Sequence, residues 1–162
     1  MKKLFFIVAI FATAFLQKGF AQNSTAQTSQ NLSLSQLLTS YYNIKDALVV
    51  GNASSASTSA DEFVKTLTGI DSKSITIDTR NALLKDAGNI SQTTNIKNQR
   101  ELFASFSTKM IALAKAIKLT SQSVYEAYCP MKKASWLSSE KAIKNPYYGS
   151  AMLTCGSIKE TF

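Results

Sequence analysis

Neither proline of this 162-residue chain occurs before position 130, and the long stretch ahead of Pro130 is ordinary helix-forming sequence. Proline inside a helix removes a backbone hydrogen bond and clashes with the preceding turn, so a proline-free stretch with helical periodicity can fold as a series of helices. The residues that are costly to misplace are gathered at the other end. Residues 125–162 hold both prolines, both cysteines, the only tryptophan and four of the six tyrosines. A functional site is expected in that segment.

The upstream periodicity divides into four amphipathic segments. Ser33 offers an N-cap with Gln36 three residues on, and Leu34, Leu37, Leu38, Tyr41, Tyr42 and Leu48 recur at helical spacing up to the stop at Gly51. After a small, polar stretch over residues 52–59, Ser59 and Glu62 make a capping box. Ala60, Phe63, Val64 and Leu67 then line one face until Gly69. A third, shorter helix is predicted over residues 78–87 with Ala82, Leu83 and Ala87 on its apolar side and Gly88-Asn89 as its exit. From Asn95 onward Leu102, Phe103, Phe106, Met110, Leu113 and Ile117 alternate three- and four-residue steps, the strongest helical pattern in the chain. Short loops join the four, so the fold class expected is mainly α: an up-and-down helical bundle. Past residue 120 the period is lost, and a loop-rich C-terminal cap packed on the bundle is expected. In it, residues 140–143 are read as a short helix anchored by Trp136.

The first residues carry a different signal. Met1-Lys2-Lys3 precedes an apolar run over residues 4–16 and a small-x-small site ending at Ala21, which reads as a signal peptide over residues 1–21. That run is shorter than the ~20 apolar residues a membrane span needs, and no cysteine stands at the cleavage point. The expectation is a periplasmic protein, neither lipoprotein nor membrane-inserted after cleavage. Polar residues 22–32 are read as a disordered leader and residues 33–162 as a single domain. Without Lys2, Lys3 and Lys18 the net charge falls from +8 to about +5. The remaining lysines are scattered among acids, which describes a solvated surface and argues against a nucleic acid partner.

The chain has no histidine, so the commonest general base and the usual zinc ligand are missing. There is no Gly-x-Ser-x-Gly elbow, and the carboxylates are few and dispersed. No enzyme is expected. What remains is sulfur. Cys129 and Met131 flank Pro130 at a spacing that shares a face in an extended segment, and Met152 and Cys155 lie one helical turn apart. Two thiols and two thioethers without harder donors suit monovalent copper or silver. An even cysteine count in an exported chain equally suits a disulfide between Cys129 and Cys155, worth about 3.5 kcal/mol by loop closure, with the methionines as core filling. The cap aromatics Tyr125, Tyr128, Trp136, Tyr147 and Tyr148 suit either core packing or a partner surface.

Taken together, Tyr128-Cys129-Pro130-Met131, Trp136-Leu137-Ser138, Asn145-Pro146-Tyr147-Tyr148-Gly149 and Met152-Leu153-Thr154-Cys155-Gly156 resemble the signature of domain of unknown function 3347. The resemblance extends through Tyr41-Tyr42 to Leu48 and through Gln99-Arg100 to Phe106. Members of that family occur as short exported proteins and as a domain attached to periplasmic adaptors of heavy-metal efflux pumps. The resemblance implies copper or silver handling, with Cu(I) or Ag(I) as the bound ion and an efflux adaptor or another envelope protein as partner. The expected metal ligands are Cys129, Met131, Met152 and Cys155. The alternative is a disulfide-stapled, non-enzymatic interaction module of the cell envelope.

Overall fold

In the computed structural model, which describes residues 21–162, four helices are followed by a small antiparallel sheet. The helices are α1 (Ala21–Val50), α2 (Ala53–Gly69), α3 (Ile77–Ser91) and α4 (Ile96–Ala116). The strands are β1 (Tyr125–Cys129), β2 (Ala134–Ser138) and β3 (Ser157–Thr161), with a 3-10 turn over Gly149–Met152 between the last two. The fold is mainly α, as the periodicity requires. The signal segment read over residues 1–21 lies outside the described residues, save for Ala21 at the head of α1. Among the described residues no helix is long and apolar enough to cross a membrane.

The helix ends follow side-chain chemistry. Asn52 caps α2 by accepting from the Ser55 N–H, Thr76 caps α3 by accepting from the Thr79 N–H, and Asn95 caps α4 by accepting from the Lys97 and Asn98 N–H groups. Each satisfies donors that the first turn of a helix leaves without an intrahelical partner. Three boundaries differ from the sequence reading. The stretch read as a disordered leader, 22–32, belongs to α1, since no proline or glycine interrupts residues 21–50. The polar stretch 52–59 forms the first turns of α2, where Asn52 is the cap and Ala56 is fully buried against the core. Helix α3 runs past Gly88 to Ser91, because Ile90 is buried in the core and a glycine within a helix costs only about 1 kcal/mol.

Buried side chains from the helices and the sheet form one continuous core. Its centre is aromatic: Phe63 meets Phe106 edge-on at 4.8 Å between ring centroids, and Tyr41 stacks on Phe103 at 5.4 Å. Tyr147 from the cap then touches both Phe103 and Trp136 at 5.9 Å, so the aromatic series passes from bundle into cap without a break. Fully burying each such ring contributes about 1.5–3 kcal/mol.

The cap expected to be loop-rich holds three five-residue strands in the order β2-β1-β3, both pairings antiparallel. Cys129 lies opposite Ala134, and Ala127 opposite both Trp136 and Ile158. Strand β2 packs on α4 and is pinned from its outer edge, where the Leu137 N–H donates to the Tyr41 hydroxyl at 3.0 Å. Tyr41 is bonded in turn to Ser107 on α4 at 2.6 Å, so one buried phenol joins α1, α4 and the sheet. Residues 140–143 do not form the short helix that was expected. Trp136, Leu137 and Ser138 are strand residues, and the Ser138 hydroxyl accepts from the Glu140 N–H in a bend rather than capping a helix.

Candidate sulfur site

Cys129 is the last residue of β1, and the chain reverses at once through residues 130–133 into β2. Pro130 supplies a backbone already shaped for the turn, Lys133 closes it with φ +56°, and the Lys133 N–H donates to the Cys129 carbonyl at 2.8 Å. This path aims the N–H groups of Met131 and Lys132 back at the Cys129 sulfur.

Cys155 arrives from the other side. The 3-10 turn carries the chain to it, and its N–H donates to the Met152 carbonyl at 3.0 Å. Asn145, fully buried, makes three side-chain bonds, one of them to Cys155. Its side-chain amide donates to the Cys155 carbonyl at 2.7 Å, while its Oδ1 accepts from the Tyr147 N–H at 2.8 Å and the Tyr148 N–H at 3.3 Å. Gly156 presses on the sheet so closely that a Cβ there would stand 2.8 Å from the Trp136 ring and 3.0 Å from the Tyr128 carbonyl oxygen.

The outcome is a contact between the two thiols, Cys129 Sγ to Cys155 Sγ, at 3.3 Å. Both cysteines are free. A disulfide holds its sulfurs about 2.05 Å apart, so the staple considered from the cysteine count is not formed here. Two sulfurs bound to one metal ion between them must stand farther apart than in a disulfide, with the ion seated between them. At 3.3 Å the sulfurs are in van der Waals contact without a bond, so the pair can close to a disulfide or open around an ion.

The thiols sit in unequal surroundings. Cys129 is fully buried and Cys155 half-buried. Burial pushes the Cys129 thiol up, but the Lys132 N–H, the Cys155 thiol, the Asn145 amide and the Met131 N–H all stabilise its anion, and the balance holds it below the ordinary thiol range. Cys155 is raised, first by its hydrogen bond to Cys129, then by burial and by the repulsion of a Cys129 thiolate. The first proton lost from the pair therefore leaves a charge held mainly on Cys129.

Of the four predicted sulfur ligands, two are brought together. Met131 and Met152 are tied to the pair through their backbones, since the Met131 N–H serves both thiols and the Met152 carbonyl accepts from Cys155. Their side chains stand in solvent, 64% and 40% exposed. The expectation that Cys129 and Met131 project to one face required an extended segment. A tight turn between them buries the thiol and turns the thioether out. Among the described residues, no three of His, Cys, Asp and Glu gather as a metal cage. The residue that sequence reasoning missed is Asn145. An asparagine before proline signals a turn, but its grip on Cys155 becomes visible only once the two segments meet.

The chain matches the model of the family described as "Protein of unknown function (DUF3347)" over residues 37–122, and it belongs to that family. The matched stretch runs from within α1 through α4 and ends ahead of β1, so it contains the core helices and not the cysteines. No curated protein and no solved structure matches the chain.

Proposed function

We propose that this family member binds a soft monovalent metal ion, Cu(I) or Ag(I), through the thiolates of Cys129 and Cys155. Met131 and Met152 swing inward to add thioether donors. The reading is carried by the 3.3 Å thiol contact, furnished with N–H donors before any ligand arrives. Preset donors stabilise thiolate charge, and the thiolate is the form that binds metal. The set is all sulfur, which favours a soft ion over zinc, iron or calcium. The exposed methionines give an arriving ion its first soft contact, after which the buried thiol completes the site. The protein acts as a carrier or scavenger rather than an enzyme. The apolar N-terminal run and small-residue site of residues 1–21 support a periplasmic address, and the family resemblance supports a metal-efflux adaptor or other envelope protein as partner.

Anaerobic titration of the reduced protein against a competing chromophoric Cu(I) chelator tests this reading. One equivalent bound, and lost in Cys129→Ser, supports it. No uptake by a fully reduced, folded protein overturns it.

The same sulfur contact, with Leu153, Ile158 and Phe162 exposed at 36–41% on the cap, favours a second reading. In it the cysteines are oxidised to a staple and the cap docks on an envelope partner. Thiols that resist alkylation in freshly isolated protein until reductant is added would favour this second reading.

A further inference from the structure

The two cysteines differ in a way that simple metal ligation does not require. Cys129 is sealed under the hairpin turn, while Cys155 lies on the outer side of the contact, at the end of a segment with exposed neighbours Met152 and Leu153. From the 3.3 Å contact and this unequal access we infer that Cys129 and Cys155 are a reversible thiol–disulfide exchange pair, Cys155 being the sulfur that exchanges with an external disulfide or thiol and Cys129 the sulfur that leaves.

The chemistry balances with an external disulfide, R–S–S–R, as oxidant. Cys155 passes its proton across the 3.3 Å contact to the Cys129 thiolate and attacks one sulfur. The R–S–S–R bond breaks, one R–S⁻ departs and a Cys155–S–S–R bond forms. Cys129 then gives its proton to solvent, attacks Cys155 Sγ as thiolate and expels the second R–S⁻. Two thiols of the protein are oxidised to one disulfide, and one external disulfide is reduced to two thiols. In reverse, an external thiolate attacks the accessible Cys155 Sγ and the bond to Cys129 breaks. The leaving sulfur stays within reach of its partner, because the Asn145 amide bond to the Cys155 carbonyl and the turn closed by the Lys133 N–H on the Cys129 carbonyl hold the two segments in place. Cys129, with no exposed surface, offers an external sulfur no such approach.

The inference rests on the sulfur pair described above and, for its consequence, on the metal reading. Closing the disulfide removes both thiolate donors, so oxidation releases a bound ion and reduction readies the site again.

The test uses the mature-length chain, freed of metal with chelator and equilibrated in mixtures of glutathione and glutathione disulfide, then acid-quenched, alkylated and weighed. Complete, reversible interconversion of the dithiol and disulfide in the folded protein is expected. Mixed disulfide trapped early should map to Cys155, at least about tenfold faster than to Cys129. Cys129→Ser and Cys155→Ser repeat the comparison on single thiols, and peptide mapping of the quenched wild type serves if either variant fails to fold. Equal adduct on both cysteines, or a disulfide that glutathione reduces only after denaturation, overturns the inference. Adding Cu(I) before the oxidant separates the two readings. If copper neither binds nor slows oxidation while exchange proceeds at Cys155, the metal reading fails and the exchange pair stands.

Discussion

The Asn145 side-chain amide donates to the Cys155 carbonyl at 2.7 Å, and this bond joins a buried turn to the sulfur site. The same side chain accepts from the Tyr147 and Tyr148 N–H groups, so Asn145→Ala would orphan one carbonyl and two amides in or beside the core. Each buried polar group left without a partner costs about 1–3 kcal/mol. The variant is expected to lose at least about 2 kcal/mol in urea unfolding and to bind Cu(I) more weakly. Asn145→Asp keeps the acceptor oxygen but replaces donor with charge, so it should retain more stability while raising the pH at which the first thiolate forms. A Cys155 segment unmoved by Asn145→Ala in amide exchange would show that other contacts hold it.

Tyr41 joins the helices to the sheet with one oxygen. Tyr41→Phe leaves the stacked ring in place but removes the acceptor for the Leu137 N–H and the partner of Ser107. A loss of about 2 kcal/mol is expected, with the unfolding slope unchanged. Faster amide exchange should appear first at Leu137.

Gly149 marks how closely the cap lies on the bundle. Its φ is +56°, and a Cβ there would stand 2.3 Å from Arg100 Nη2 and 2.8 Å from the Val49 carbonyl oxygen. Arg100 is held in place by donating to the Leu48 carbonyl at 2.8 Å, near the C-terminal end of α1. Left-handed backbone at a non-glycine residue costs about 1–3 kcal/mol, and the steric conflict adds to it, so Gly149→Ala should destabilise by more than about 2 kcal/mol. Shortening Arg100 in the Gly149→Ala background should recover only part of the loss, because the Val49 oxygen is backbone. Full recovery in the double variant would place the conflict on the arginine alone.

Alkaline stability follows from the buried phenols. Burial pushes Tyr41, Tyr42 and Tyr147 above the ordinary tyrosine value of 10.0, because a phenolate shielded from water, in the core or, for Tyr42, packed half-buried against it, loses hydration. The unfolded chain ionises at the ordinary value, so the stability these groups contribute is complete below pH 10.0 and falls as pH rises above it. Phenolate absorbance from Tyr41, Tyr42 and Tyr147 should therefore appear only together with unfolding. A single titration with retained far-ultraviolet dichroism would contradict their burial.

The helical half was legible because its information is local. A period of 3.6 residues places Leu37, Leu38, Tyr41 and Leu48 on one face whatever lies opposite, and all four are buried. Boundaries failed where neighbours outweighed composition, as at Ala56 and Ile90. The strands were hidden because they are five residues long and broken by proline turns, too short for alternation to stand out from loop.

By itself the sequence determined the helices, the membership of the family and the segment where both cysteines, both prolines and the tryptophan are gathered, since each is written in neighbouring residues. Only the tertiary structure decided that the sulfurs of residues 129 and 155 touch, that Asn145 holds them so, and that both thioethers face water. Those relations depend on how the path after Cys129 turns and returns across the sheet, and backbone hydrogen bonds between distant segments set that path.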